Sequence, residues 1–264
     1  MTPMTTAPRS EPAPTAPSPP PDATRPYGAD PAQVYDVRRP SPGSAQVGAT
    51  VLVVHGGFWR AAYDRAHAAP EAQAFADAGY TVAVAEYRRV GMPGGGVPGT
   101  LDDVHGVVSA VLADPDLPDP LILVGHSAGG HLATWAAGQP WTTDGEGGAV
   151  AGVVSLAGVV DLGAADRLHL GEGAARAFVG SGPGSAAWTT ADPMSVPPRV
   201  PVRLLWGEDD DVVPSEVGDS YLSQARAAGA DVTSEVIAGA DHFALIDPTS
   251  PAFAHVLAAA RSLL

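Results

Sequence analysis

Gly125-His126-Ser127-Ala128-Gly129 stands between the apolar run Leu121–Val124 and a stretch with helical spacing. A strand, a sharp turn and a helix around G-x-S-x-G hold a serine in a strained conformation with its hydroxyl exposed. Ser127 is therefore the candidate nucleophile. It also lies at a helix N-terminus, whose partial positive charge favours a developing oxyanion. An earlier apolar run ends in His55-Gly56-Gly57-Phe58-Trp59. A strand followed by HGG is the loop that supplies the other oxyanion donor. The expected donors are the backbone N–H of Gly57 or Phe58 together with that of Ala128. His55 is expected to organise this loop rather than to act as a base. Trp59, beside the reacting carbonyl, is a candidate pocket wall, with His126 and Phe243 next to the nucleophile and the base.

A serine of this kind needs a base and an acid, each on a loop after a later strand, in the order Ser, acid, His. The run Val202–Trp206 leads into Gly207-Glu208-Asp209-Asp210-Asp211, and Val232–Ile237 leads into Gly239-Ala240-Asp241-His242-Phe243. His242 stands where a base is needed, and a neutral imidazole can take the serine proton. Orienting that imidazole takes one buried carboxylate, and composition does not choose among the four at 208–211. His126 and His131 are five apart, not the i, i+4 spacing of a helical zinc pair, and no HExxH motif occurs, so no metal is expected. His67, His105 and His255 fall on predicted helices as surface or packing residues. His169 could touch substrate.

The chain must position these loops on strands. Gln33–Arg38, Ala49–His55, Thr81–Glu86, Leu121–Val124, Val150–Leu156, Val202–Trp206 and Val232–Ile237 read as strands. Asp64–Ala78, Thr100–Leu112, Ala128–Ala137, Ser215–Ala228 and Pro251–Leu264 read as helices, the second opened by a capping box of Thr100 and Asp103. Short apolar runs alternating with helices predict an α/β fold with a mostly parallel, doubly wound sheet covered on both faces. Asp161–Ser195 interrupts this rhythm and reads as a small cap insertion over the site. Residues 1–29 carry nine prolines and almost no large apolar group. They read as a disordered tail ahead of one domain at 30–264.

Composition removes several chemistries. Among 264 residues there is no Cys, no Lys and no Asn, so all 14 basic residues are Arg. That excludes thiolate nucleophiles, lysine Schiff bases, Cys-ligated metals and N-glycosylation. With 29 Asp and Glu the formal net charge is −15. Such a field repels nucleic acid and anionic membrane surfaces, leaving a small-molecule substrate as the expected partner. No apolar run is long enough for a membrane span, and no signal peptide is recognisable, so the cytoplasm is the expected compartment.

Together, HGGFW at 55–59, GHSAGGHLA at 125–133, GEDDDVVP at 207–214 and ADHF at 240–243 resemble the α/β-hydrolase superfamily. The resemblance implies that the acid stands three residues after the loop glycine and four before the proline, which is Asp210. The HGG-aromatic-Trp loop with GHSAG-x-HLA resembles arylformamidases of the kynurenine formamidase group and related carboxylesterases. It implies a serine hydrolase without a cofactor that cleaves an aryl formamide such as N-formylkynurenine. A carboxylesterase acting on small acyl or acetyl esters fits the same residues. A peptidase would usually add a large domain, and a non-catalytic binding protein would normally lack part of the triad.

Overall fold

The computed structural model describes residues 18–144 and 150–264. Its strands are β1 (Ala23–Pro26), β2 (Val34–Arg38), β3 (Thr50–Val54), β4 (Thr81–Ala85), β5 (Leu121–His126), β6 (Val150–Leu156), β7 (Val202–Gly207) and β8 (Val232–Ile237). Among the described residues these make one eight-stranded sheet in the order β1-β2-β4-β3-β5-β6-β7-β8. β3 to β8 run parallel, while β2 joins β4, and β1 joins β2, antiparallel. Every residue of β3, β4 and β5 is buried, as parallel strands covered on both faces require. The predicted α/β-hydrolase fold with a mostly parallel sheet is what the chain adopts. No helix among the described residues is long and apolar enough to cross a membrane.

Helices at Ala69–Asp77, Gly99–Leu112, Ala128–Ala137, Glu216–Ala227 and Phe253–Arg261 follow the predicted stretches. The first is preceded by a 3-10 turn at Arg65–Ala68, and the last is shorter than expected at both ends. Between β6 and β7, the stretch read as a cap forms three short helices, Leu162–Arg167, Ala174–Val179 and Ala186–Ala191. These pack onto the loops after β3 and β4. Phe178 stacks on Trp59 with centroids 4.6 Å apart, its carbonyl accepts from Val97 N–H (3.0 Å), and Arg60 bonds Gly171 O.

Two local expectations are corrected. The reading of residues 1–29 as a disordered tail fails over its last third: β1 pairs with β2, Arg25 bridges Asp114 and Asp116, and Tyr27 OH donates to Glu86 O at 2.7 Å. Proline is tolerated there because β1 is an edge strand. Residues 1–17 of that expected tail lie outside the described residues. The expected capping box at Thr100 and Asp103 does not form either. The helix starts at Gly99, and Thr100 Oγ1 donates to Arg88 O. Asp103 accepts from the Arg88 guanidinium, Arg88 N–H and Gln33 Nε2, so tertiary partners have taken both side chains.

Candidate active site

The loops that follow β3, β5, β7 and β8 meet at the carboxyl ends of their strands, the edge where open parallel sheets carry their sites. Ser127 follows β5 with φ 53° and ψ −116°, a left-handed conformation that a non-glycine residue adopts only under constraint. The constraint is visible. Ser127 N–H donates to Leu156 O (2.8 Å), and its carbonyl accepts from His131 and Val159 N–H (3.0 and 3.2 Å). The turn also needs bare backbone on either side. A Cβ at Gly125 would lie 2.2 Å from Gly129 O, and one at Gly129 would lie 1.9 Å from Val54 O. Ala128 opens the next helix, so its N–H has no partner within that helix.

His242 is buried, and its Nδ1–H donates to Asp210 Oδ2 at 2.7 Å. The Asp210 side chain is 1% exposed, and its Oδ1 accepts from Val212 and Val213 N–H (2.9 and 2.8 Å). Glu208, Asp209 and Asp211 are exposed. Of the four carboxylates, the one buried against His242 is thus Asp210. The loops that carry Asp210 and His242 are tied directly: Asp209 N–H donates to Ala240 O at 2.9 Å.

His126 joins the Ser127 turn to His242. Its Nε2–H donates to His242 O (3.0 Å), and the two rings lie 4.5 Å apart. Burial, then the neighbouring His242 and His67, hold its imidazole well below the ordinary range, so it stays neutral. Phe243 packs edge-on to His242 at 5.1 Å. His67, expected as a surface or packing residue, stands over this cluster, 6.3 Å from the His126 ring and 6.5 Å from that of Phe243. Burial is the main cause that lowers it to about 4. Its position was illegible in sequence because the 3-10 turn that carries it is set by tertiary contacts. His105 and His255 are exposed, stacked on Trp141 and paired with Glu235 respectively, and His169 is exposed on the cap.

The loop after β3 is held from beneath. His55 Nδ1 bonds Gly56 O (2.8 Å) and its Nε2 faces Glu86 Oε1 (3.3 Å), while Tyr87 OH donates to His55 O (2.7 Å). Burial opposes the Glu86 charge. His55, Arg65 N–H and Arg89 outweigh it and hold the carboxyl below its usual range. Gly56 C=O and Gly57 N–H belong to one planar trans peptide and point in opposite directions. Fixing the carbonyl on His55 therefore fixes where Gly57 N–H points. His55 is the loop organiser that the sequence suggested. The next two residues are again left-handed, Phe58 at φ 50° and Trp59 at φ 56°.

The expectation of Trp59 as a pocket wall is corrected. Its indole is buried, stacked on Phe178 and bonded through Nε1–H to His131 Nδ1 at 3.2 Å. It braces the loop and leaves no free face for a substrate ring. Among the described residues no group of three or more His, Asp or Glu is placed to hold a metal ion.

The BD-FAE family model matches residues 35–224. No curated protein matches the chain by sequence. Solved structures of low identity share its fold along nearly the whole length. Esterase B from Lactobacillus Rhamnosis is 20% identical with a TM-score of 0.76, over 94% of this chain and 87% of its own. A truncated carbohydrate esterase from gut microbiota is 18% identical with a TM-score of 0.75, over 91% and 96%. A thermophilic esterase from the Planctomycetes species Thermogutta terrifontis is 20% identical with a TM-score of 0.71, over 93% of each chain.

Proposed function

Because the chain belongs to the BD-FAE family, we propose that it is a serine carboxylesterase that cleaves small acyl esters through Ser127, His242 and Asp210. The observation that carries this reading is the buried 2.7 Å bond from His242 Nδ1–H to Asp210 Oδ2, on a loop packed against the left-handed serine turn. With Nδ1 protonated toward Asp210, Nε2 keeps its lone pair and takes the Ser127 proton. Ser127 Oγ bonds to the ester carbonyl carbon, and the carbonyl oxygen becomes an oxyanion. The N–H of Ala128, with that of Gly57 or Phe58, donates to this oxyanion. Asp210 stabilises the imidazolium. His242 then protonates the departing alkoxide as its C–O bond breaks, leaving an acyl-serine. Water gives a proton to His242 and attacks the acyl carbon; the acid departs and Ser127 regains its proton. His126 and Phe243, with His67, line the approach to Ser127 in this reading.

Ester cleavage is favoured over cleavage of an aryl formamide on two grounds. The three structural neighbours named above are esterases. The indole that would stack on an aryl ring is already occupied by Phe178 and His131. The test is kcat/KM on p-nitrophenyl acetate and butyrate against N-formylkynurenine, with Ser127→Ala as control. The esters are expected to be the better substrates, and Ser127→Ala to lose at least about 10³-fold in kcat. Near-full activity in Ser127→Ala would remove the serine mechanism. A higher kcat/KM on the formamide would return the reading to an arylformamidase.

A further inference from the structure

His131 takes no part in the chemistry just described, yet it sits four residues after the nucleophile and touches both the loop after β3 and the stretch between β6 and β7. It is fully buried. Its backbone N–H donates to Ser127 O (3.0 Å). Its Nδ1 accepts from the Trp59 indole N–H (3.2 Å), and its Nε2–H donates to Ala191 O (2.9 Å) in the cap. One imidazole therefore links the nucleophile turn, the oxyanion loop and the cap. These partners require a single neutral tautomer, with the hydrogen on Nε2. Burial is the main cause that lowers this histidine to about 4, which keeps Nδ1 free to accept at neutral pH.

The partner it holds is under strain. A bulky residue such as Trp59 at φ 56° occupies a costly conformation that persists only where surrounding contacts over-determine it. Three contacts do so: the stack on Phe178 at 4.6 Å, the bond from Val90 N–H to Trp59 O (2.8 Å), and the indole bond to His131. Trp59 directly follows Gly57 and Phe58, the two candidate oxyanion donors. If its backbone relaxed, those N–H groups would turn away from the carbonyl oxygen above Ser127.

We infer that His131 is a positioning residue for the oxyanion loop, acting through the Trp59 indole to aim the N–H groups of Gly57 and Phe58. The inference rests on the serine-hydrolase reading for its kinetic consequence, and on the loop geometry alone for its structural one. Its effect falls on the transition state, where the oxyanion forms, and much less on ground-state binding.

Two substitutions separate the two ring nitrogens. An asparagine amide reaches about as far as Nδ1, so His131→Asn can still accept from Trp59. A glutamine amide reaches toward Nε2, so His131→Gln can keep the cap bond and lose the indole. Trp135→Phe supplies the control, since it removes a different cap anchor, the Trp135 Nε1–H bond to Thr190 O (2.8 Å). His131→Gln and Trp59→Phe should lower kcat on p-nitrophenyl acetate about 10-fold or more, with KM changed by less than about threefold. His131→Asn should recover most of that loss, and Trp135→Phe should leave kcat unchanged whatever it does to Tm. A kcat in His131→Gln within about twofold of the native enzyme would overturn the inference. So would an Asn variant no better than Gln, or a kcat loss in Trp135→Phe equal to that in Gln.

The Trp59 indole N–H resonance supplies a readout independent of activity. It should shift in His131→Gln and persist in His131→Asn. If the native chain hydrolyses neither ester and Ser127 takes no fluorophosphonate label, the hydrolase reading fails. The resonance then decides alone, and an unmoved signal in His131→Gln overturns the inference.

Discussion

Four carboxylates stand in a row at 208–211, and a single hydrogen-bond pattern distinguishes one of them. Asp210 alone turns inward, with one oxygen on two backbone N–H groups and the other on His242 Nδ1–H. The backbone donors hold the carboxylate in place and the histidine receives its second oxygen. A neutral amide at this position would present the wrong group to Nδ1 and favour the other tautomer. Asp210→Asn should therefore lower kcat by on the order of 10⁴-fold while the fold is retained. Asp209→Asn and Asp211→Asn, on exposed side chains, should stay within about twofold of the native enzyme. Steady-state kinetics of the three variants checks the assignment. An Asp210→Asn enzyme no worse than its neighbours would move the acid elsewhere.

At the scale of elements, the site depends on how closely the strand ends and loops can approach one another. The serine turn is seated against β3 because Gly129 lets the turn meet Val54 O, and the acid and base loops share the bond from Asp209 N–H to Ala240 O. The edge strand β1 contributes at a distance. Tyr27 OH donates to Glu86 O, and Glu86 is the carboxylate that faces His55 under the oxyanion loop. Tyr27→Phe should cost about 1 kcal/mol of stability, the net worth of one such bond. Urea unfolding of the variant measures this. An unchanged midpoint would detach β1 from the support of that loop. The strand was missed in sequence because Ala-Thr-Arg-Pro has no apolar face to advertise it. Its partners are Val34–Val37 across the ladder and two aspartates some ninety positions further on. The capping box failed for a related reason: Thr100 and Asp103 have the right spacing, but Arg88 and Gln33 offered both side chains stronger partners than their own helix end.

Across the whole molecule, burial of ionisable groups sets how stability responds to pH. His67 and His131 are both lowered to about 4 from an ordinary 6.5, and His126 is also held well below it. The unfolded chain binds protons at these sites below about pH 6.5 while the native fold does not. Their contribution is thus complete above that pH and is lost as pH falls toward 4. Glu71 works in the opposite direction. Burial raises it to about 8 from 4.5, and its Oε1 has no hydrogen-bond partner among the described residues. Its folded pKa is the higher one, so its contribution is present below about 4.5 and is lost as pH rises through 8. Stability should therefore peak between these limits. Glu71→Gln should flatten the alkaline side, with a gain over the native chain that grows between pH 5 and 8. Chemical denaturation across pH 4 to 9 checks both slopes, and an equal gain at every pH would rule out ionisation of Glu71 as the cause.

Sequence by itself determined the α/β architecture, the serine turn, the HGG loop and the place of His242, because each is written in contiguous residues. Apolar runs with strand length, glycines flanking Ser127 and a histidine after the last strand are local signals that survive without knowledge of partners. Tertiary structure decided what local signals cannot carry. Which of four neighbouring acids is buried against His242 depends on how two loops pack. Whether Trp59 faces a substrate or a brace depends on Phe178, more than a hundred residues away, and on a histidine whose spacing suggested nothing. A side chain's chemistry is set by its type, but its role is set by which groups the fold brings within hydrogen-bond reach and away from water.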